Sequence, residues 1–467
     1  MGSSVNSVEA YYAKIRELIE SGRIEEAGEL FDSLDPPYAH AVVIRLNSDE
    51  RYKLFTKTTL ASLAEVLAKL PDEIVYEIVI VKGLDEVSKI ITTLPLDEAA
   101  DVLGKLPPRY RNKVVEVMSR ETAEEVSKIL KYHPESVGGV MTPQVPVFNW
   151  NMKVGDAIST YVSRDRLGLY DRHHYIYVVD DDYKLVGWID VKSFLTKPKD
   201  SALKVYAQKP PVVVEATKDR EHAAKLAVDY DLLEVPVVDQ AGKFLGAVTL
   251  DDVLDVLVTE YSEDLLKFGG FIEAVRGGYM TLSPLKLALK RVPMILYLYL
   301  MNSITGSIVA SFTSTIERLA ILAAFLPMLA DNSGNIGAQS STLILRGMAL
   351  GEIRLSKTDV FRVLLKELLV SSLMILIMGP VAFAIAFGVV WFATASLGVS
   401  LRVALIVVAA LITSCYVSDV VGSFLPILLA RLGVDPAVAS APLITTVGDI
   451  VTAFTYFWIA TGLLAVV

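Results

Sequence analysis

Asp449 is a lone carboxylate in an apolar setting. The stretch Ala441 to Tyr456 reads as a membrane-spanning helix, and Pro442, Thr445, Thr446, Asp449, Thr452, Ala453 and Tyr456 share one of its faces by three-and-four spacing. That face is small and polar, while the rest of the helix is aliphatic or aromatic. A charge in mid-bilayer costs at least ~2.5–3.5 kcal/mol, so it faces a cavity or ion path, or is satisfied by a partner on a neighbouring span. Both readings stay open from this stretch alone.

Two further stretches carry polar chemistry. Pro327 to Thr342 interrupts a hydrophobic run with Asp331, Asn332, Ser333, Gly334, Asn335, Gly337 and Gln339. Asp331, Asn335 and Gln339 follow one another at four-residue spacing, so their oxygens share a face, and Gly334 and Gly337 permit close backbone approach. The stretch predicts a broken helix lining a cavity; the competing reading is a glycine-rich seam between spans. Asp251 to Asp264 holds six acids and no base, with Asp252 and Asp255 one turn apart and Glu260 followed by Glu263 and Asp264. Like charges at this spacing repel. The run is either a solvated face or a divalent-cation site.

The elements that must position these groups differ along the chain. Of 467 residues 53% are hydrophobic, but the apolar excess lies after Pro293. A net charge of -10 argues against nucleic acid as a partner and fits cation handling. The single Cys415 excludes an intrachain disulfide. Met1 to Glu20 is polar, unlike a cleavable signal, which leaves the N-terminal half expected in the cytosol. Five hydrophobic stretches are expected to span a lipid bilayer: residues 293–316, 319–345, 364–392, 403–429 and 436–467. Lys286, Lys290 and Arg291, and then Arg346, Arg354, Lys357, Arg362 and Lys366, mark the cytosolic side, which puts the C-terminus outside. An odd span count favours a pore on a dimer axis over an internally duplicated transporter.

Residues 1–132 carry signals spaced by multiples of 12, such as Leu46-Asn-Ser, Leu70-Pro-Asp, Leu94-Pro-Leu and Leu106-Pro-Pro, which predict a superhelix of short helices; the competing reading is an irregular helical domain. The region 133–261 contains a duplication offset by 59 residues: Val178-Val-Asp with Leu185-Val-Gly-Trp-Ile-Asp-Val, then Val237-Val-Asp with Phe244-Leu-Gly-Ala-Val-Thr-Leu. Each copy predicts strand, turn, strand and helix. This resembles a tandem pair of α/β CBS (cystathionine-β-synthase) domains, regulatory modules that often bind adenine nucleotides or metal. Residues 262–283, with glycines at 269, 270 and 277, are expected to form a connector helix, and 284–467 an all-α transmembrane domain of five helices.

With these parts in order, the chain resembles the MgtE-type magnesium channels over nearly its whole length. The resemblance rests on Gly334-Asn-Ile-Gly-Ala-Gln-Ser, on Arg431-Leu-Gly-Val-Asp-Pro436, on Pro442-Leu-Ile-Thr-Thr-Val-Gly-Asp449 and on His133-Pro-Glu-Ser-Val-Gly-Gly-Val-Met-Thr142. It implies a homodimer of the cytoplasmic membrane that imports Mg2+ through a pore between the subunits. Asp449 would hold the ion mostly through its water, with Gly334, Asn335, Gln339, Thr445 and Thr446 around it; Asp331, four residues before Asn335, is expected to face the same cavity from its position in the polar stretch. It also implies regulatory Mg2+ at Asp97 and Asp101, at Asp219, Glu221, Asp231, Asp252 and Asp255, and at Glu260, Glu263 and Asp264 of the connector or plug helix, closing the pore. Thr249 and Asp252 resemble ribose contacts of nucleotide-binding CBS pairs, which would make ATP a second ligand.

Asp331 and Ser333 stand where bacterial members usually have Gly, Ala441 where they often have Asn, and Asp419 is an additional membrane carboxylate. Thr445-Thr-Val-Gly-Asp449 is similar to the animal solute-carrier relatives, some regarded as Na+-coupled exchangers. The alternatives are therefore a Na+-coupled Mg2+ exchanger and a membrane sensor of metal or nucleotide without transport. No nucleophile with an adjacent base suggests an enzyme.

Overall fold

In the computed structural model, which describes residues 2–272 and 282–465, the 12-residue signal resolves into short helices. After α1 (Gly2–Glu20), helices α2 to α10 begin at Ile24, Pro36, Ser48, Leu60, Asp72, Leu84, Leu96, Pro108 and Arg120. The period comes from repeated start chemistry. Asn47 and Glu50 form a reciprocal capping box, Thr59 and Ser119 accept from backbone amides of the first turn, and Pro71, Pro95 and Pro107 stand just outside their helices. Each helix is too short to be stable alone. Leu54, Phe55, Leu63, Leu67, Ile78, Val87 and Leu103 stack into one continuous apolar core along the series.

The duplicated region forms two three-stranded sheets of the same topology. In the first, β1 (Val147–Asn149) runs parallel to β2 (Tyr175–Val179), which pairs antiparallel with β3 (Leu185–Asp190). The second repeats this with β4 (Val214–Glu215), β5 (Glu234–Val238) and β6 (Phe244–Thr249). The copies are joined through their cores: buried Tyr177 donates to fully buried Glu234 at 2.6 Å. The segment before the first copy pairs Thr142 with Ala247 of the second. Between the strands lie α11 (Val154–Arg166) and α13 (Arg220–Asp229). The helix expected after β3 is only one turn, α12 (Val191–Phe194), whereas α14 (Leu250–Phe268) is long.

The separate connector helix expected from residue 262 is not a separate element. α14 runs unbroken through that point, and Gly270 at φ +86° lies just past its end. Gly277 and the rest of 273–281 lie outside the described residues. The chain divides into two units near this boundary, with residues 262–272 belonging to the second.

The second unit contains α15 (Pro284–Ser311), α16 (Thr313–Arg318), α17 (Leu326–Ala349), α18 (Lys357–Thr394), α19 (Leu397–Arg431) and α20 (Ala441–Ala465). Among the described residues, α15, α18, α19 and α20 are long and apolar enough to cross a membrane. α17 has 24 residues, but its polar residues keep it below that mark. Pro293, expected to open the first span, lies inside α15.

The break expected between Pro327 and Thr342 is absent. The whole stretch is helical, and the irregular backbone precedes it, at Leu319 and in the 3-10 turn Ala320–Phe325. Pro327 falls in the first turn, where its missing N–H breaks no helical bond. The glycines serve packing. A Cβ on Gly334 would lie 2.9 Å from Thr445 Cγ2, one on Gly337 would lie 2.7 Å from Ile444 Cγ2, and one on Gly422 would strike the backbone of Gly337. Ser333 and Ser418 share a hydrogen bond of 2.7 Å across the α17–α19 contact. This is a small-residue seam in which polar groups satisfy one another.

Candidate ion pathway and cation sensor

On α17, Asp331, Asn335 and Gln339 form an exposed stripe of oxygen-bearing side chains. The opposite residues, Ser333, Ile336, Gly337 and Ser340, are buried. Asp449 of α20 is half-buried and close enough to Asp331 for their charges to interact. Asp331 and Asp449 are thus neighbours, and Asn335 and Gln339 continue the exposed face of α17 beyond Asp331.

The rest of the predicted polar face of α20 goes elsewhere. Thr446 is 3% exposed and its hydroxyl donates to the Pro442 carbonyl, as does that of half-buried Thr445. Thr452, Ala453 and Tyr456 are fully buried, and the Tyr456 hydroxyl donates to the Leu322 carbonyl at 2.8 Å. Gly334 is covered by Thr445. Helical spacing put all of these on one face, but a packed neighbour covers most of that face.

Asp419 is 1% exposed and lies away from the stripe. It accepts from Ser340 of α17 and Ser371 of α18, and buried Glu367 of α18 hydrogen-bonds with it. Glu367 was missed in the sequence because Lys366-Glu367 reads as the end of a charged connection.

In the first unit, a cavity of about 590 Å³ lies between the short-helix domain and the CBS pair. Its lining includes the carboxylates of Glu65, Asp97, Glu98, Asp101, Asp171, Asp251, Asp252 and Asp255, against the bases Lys69, Arg172 and Arg220. Asp97 and Asp101 come from α8 (Leu96–Lys105), and Asp252 and Asp255 from the first turns of α14. The Thr249 hydroxyl lies 2.6 Å from both Asp251 Oδ1 and Asp252 Oδ2, shares its one proton between them, and fixes the α14 start. Lys69 reaches Asp255 at 3.4 Å and Arg172 reaches Asp251 at 3.2 Å.

The cavity is short of positive charge. Asp97 is 8% exposed, and its Oδ1 has no hydrogen-bond partner. Burial, followed by the charges of Asp252 and Asp171, holds the Asp97 carboxyl well above the usual range. Burial pushes Asp252 up to about 7; the Thr249 hydrogen bond opposes the shift, and Asp251 and Asp171 add to it. Desolvation also raises Asp101, against Lys105 and Arg220. Among the described residues, no three acids or histidines are grouped closely enough to ligate a metal directly. That donor set fits an ion that keeps its water, as Mg2+ does.

The other predicted regulatory acids are not in this cavity. Asp219 caps α13 by accepting from the Glu221 amide at 2.8 Å. Asp231, at φ +52°, turns the chain after α13. Glu260 accepts from Arg220 at 2.8 Å. Glu263, paired with Lys267, and Asp264 belong to the other unit.

These shifts set a pH dependence. Asp97 and Asp252 have folded-state pKa values above their unfolded ones, so the folded chain binds more protons between the two. Stability therefore falls as pH rises through that window, whose upper end for Asp252 is near 7. Without divalent ions, the thermal midpoint of the first unit should rise by a few degrees as pH drops from about 8 to about 6. With saturating Mg2+ the dependence should flatten. Scanning calorimetry of the full chain in nanodiscs at several pH values measures both.

The profile for divalent cation transporters (MgtE) matches residues 326–459, that for the MgtE intracellular N domain residues 41–135, and that for CBS domains residues 137–200 and 203–259. The magnesium transporter MgtE of Thermus thermophilus is 33% identical over 97% of this chain and 98% of its own length. That of Enterococcus faecalis is 31% identical over 73% of this chain and 72% of its own. A crystal structure of the cytosolic domain of the Mg2+ channel MgtE in complex with ATP aligns with 52% of this chain and 99% of its own, at 28% identity and a TM-score of 0.47. With the N-terminal helical domain, the tandem CBS domains and the transporter region present in one order and matched end to end, the chain belongs to the MgtE family of magnesium transporters.

Proposed function

We propose that this chain forms a homodimeric Mg2+ pathway through the cytoplasmic membrane, with five spans per protomer, the N-terminal unit in the cytosol and the C-terminus outside. The observation that carries the reading is the exposed stripe of Asp331, Asn335 and Gln339 beside Asp449 in an otherwise apolar unit. Such a stripe cannot face lipid, and a second copy on a two-fold axis would turn it into a polar channel lining. Mg2+ keeps several waters, so two Asp449 carboxylates with amide oxygens suffice to hold it. The exposed apolar stripe Leu250, Leu254, Val258, Tyr261 and Leu265 on α14 also suits a second copy. Proteoliposomes tested for Mg2+ flux with and without a sodium gradient, and cysteine pairs across the proposed axis, test the reading. Absent flux would support the non-transporting sensor instead.

The cytosolic cavity supplies closure. Asp97, Asp101, Asp252 and Asp255 would hold Mg2+ there through its water, relieving the mutual repulsion of the carboxylates. A ligand shifts a conformational equilibrium only by its differential affinity, and a cavity walled by two domains provides that difference if its walls part when the pathway opens. Asp219, Glu221, Asp231 and Glu260, outside the cavity, and Glu263 and Asp264, in the other unit, are proposed as further regulatory acids. ATP at Thr249 and Asp252 is tested by whether it moves the Mg2+ concentration of half-closure.

Asp331 sets the cation concentration at the mouth of the stripe. Asp331→Gly is expected to raise the Mg2+ concentration for half-maximal flux about fivefold, the effect of roughly 1 kcal/mol, with an unchanged melting profile. Unchanged affinity would take Asp331 out of the path.

Coupled exchange has one observation in its favour, the buried Asp419 with Glu367, Ser340 and Ser371. Under that reading Asp419→Asn alters the sodium or pH dependence of flux. Unaltered dependence at two pH values and two sodium levels would leave Asp419 a packing residue.

A further inference from the structure

At one end of the cytosolic cavity a side chain already supplies the cation. Arg220 opens α13 and lines the cavity, and its guanidinium Nε and Nη2 each lie 2.8 Å from Glu260 Oε1 of α14. The two side chains are only 15% and 22% exposed. The other bases of the lining differ. Lys69 and Arg172 are 64% and 79% exposed and reach their acids at 3.4 and 3.2 Å; ion pairs in that setting contribute little. The backbone also holds Arg220 in place: its amide donates to the Glu135 carbonyl at 3.0 Å, and Asp219 before it caps the same helix.

Asp252, Asp255, Val256 and Thr259 line the cavity along two turns of α14, and Glu260 follows them in the chain. Arg220 thus meets α14 at the end of that row, while Asp101 of α8 feels its charge. The cavity has two unlike ends. Around Arg220, acids of α8 and α14 share one guanidinium. Around Asp97 and Asp252, the neighbouring charges are those of Asp171 and Asp251, which are carboxylates again.

A guanidinium keeps its charge at any cellular pH and presents a planar fork suited to a carboxylate. Tethered to the chain, it is present whatever the Mg2+ concentration. We infer that Arg220 is a built-in counter-ion that takes the place of a divalent cation at the Glu260 end of the cavity, given the reading that the cavity holds Mg2+ and that filling it closes the pathway. It joins α13 to α14 before any ion arrives, so closure takes up one ion fewer per protomer than the acids alone would bind. Mg2+ is left the end at Asp97 and Asp252.

The test uses the full-length chain in nanodiscs, as wild type, Arg220→Gln, Arg220→Lys and the double variant Arg220→Gln with Glu260→Gln. Bound Mg2+ per protomer is counted by isothermal titration, and protease cleavage of the cytosolic half is followed from chelator alone to saturating Mg2+. Arg220→Gln is expected to be cleaved about fivefold faster in chelator. It should also bind about one more Mg2+ per protomer, with a steeper rise of protection against Mg2+. Arg220→Lys keeps the charge and should keep the wild-type count. The double variant lacks both base and acid, so it should be cleaved fast in chelator yet return to the wild-type count. Arg220→Met, which keeps the apolar stem, replaces the glutamine variant if that does not fold. An unchanged ion count in Arg220→Gln would overturn the counter-ion role, whether or not cleavage is faster. An extra ion that persists in the double variant would overturn it too. A wild type that Mg2+ neither binds nor protects would overturn the reading of the cavity, and the counter-ion role with it.

Discussion

Replacing Asp449 by Ala is expected to lower Mg2+ flux about a hundredfold while the chain still folds and inserts. The magnitude follows from two modest losses. If each of two Asp449 carboxylates on a two-fold axis contributes about 1.4 kcal/mol to holding the ion, each is worth a factor of about ten. Coulomb attraction between unit charges at 4 Å is already about 4 kcal/mol at an effective dielectric near 20, so the assumption is conservative. The fold should tolerate the change. Asp449 is half-buried, and the groups that lock α20 in place are others: Tyr456 on the Leu322 carbonyl, Thr315 on Thr461, and Gly334 against Thr445. Flux into proteoliposomes, with size-exclusion and melting profiles as controls, measures the effect. Normal flux from a folded and inserted variant would remove Asp449 from the pathway. Asp449→Glu, which keeps the charge on a longer stem, should retain more flux than Asp449→Asn, which keeps the shape alone.

Features written by local chemistry were legible in the sequence. Asn47, Pro71, Pro95, Pro107 and Ser119, at multiples of twelve, start helices through chemistry local to each, so a series of short helices was readable before any packing was known. The duplication was equally local: Tyr175 pairs with Asp190 as Glu234 pairs with Thr249. What failed were inferences about which neighbour covers a face. The polar run in α17 looked like a break because its serines and glycines have no visible partners in sequence; their partners are Ser418, Gly422, Ile444 and Thr445 on other helices. Helical spacing likewise put Thr446, Thr452 and Tyr456 on the face of Asp449, and packing buries all three. Among the acids, Asp219 also caps α13, accepting from the Glu221 amide. The four acids that do converge, Asp97, Asp101, Asp252 and Asp255, come from two helices far apart in the chain, and the family resemblance rather than spacing brought them together.

The double replacement Asp252→Asn with Asp255→Asn is expected to leave the pathway open at millimolar cytosolic Mg2+. A site occupied at tenfold its dissociation constant favours the bound state by ~1.4 kcal/mol, and about 5.5 kcal/mol reverses a 1:99 equilibrium. Closure therefore needs several such sites acting together, and removing the α14 wall of the cavity takes away one or more of them. The open fraction at fixed Mg2+ should rise at least about tenfold. The same variant makes a second, opposite expectation. In the absence of divalent ions, Asp252 and Asp97 repel each other across the cavity, and burial adds to the energy of ionising both. Neutral amides relieve that repulsion, so the variant without Mg2+ should melt higher than the wild type at pH values above about 7, and Mg2+ should no longer add protection against protease. A change that merely damaged the fold would lower the melting temperature and impair closure together. A cavity that senses the ion gives higher stability with lost closure, because the carboxylates strain the empty site and are needed only to recruit the cation. Unchanged closure with unchanged protection would reduce the acidic run to a solvated face of α14.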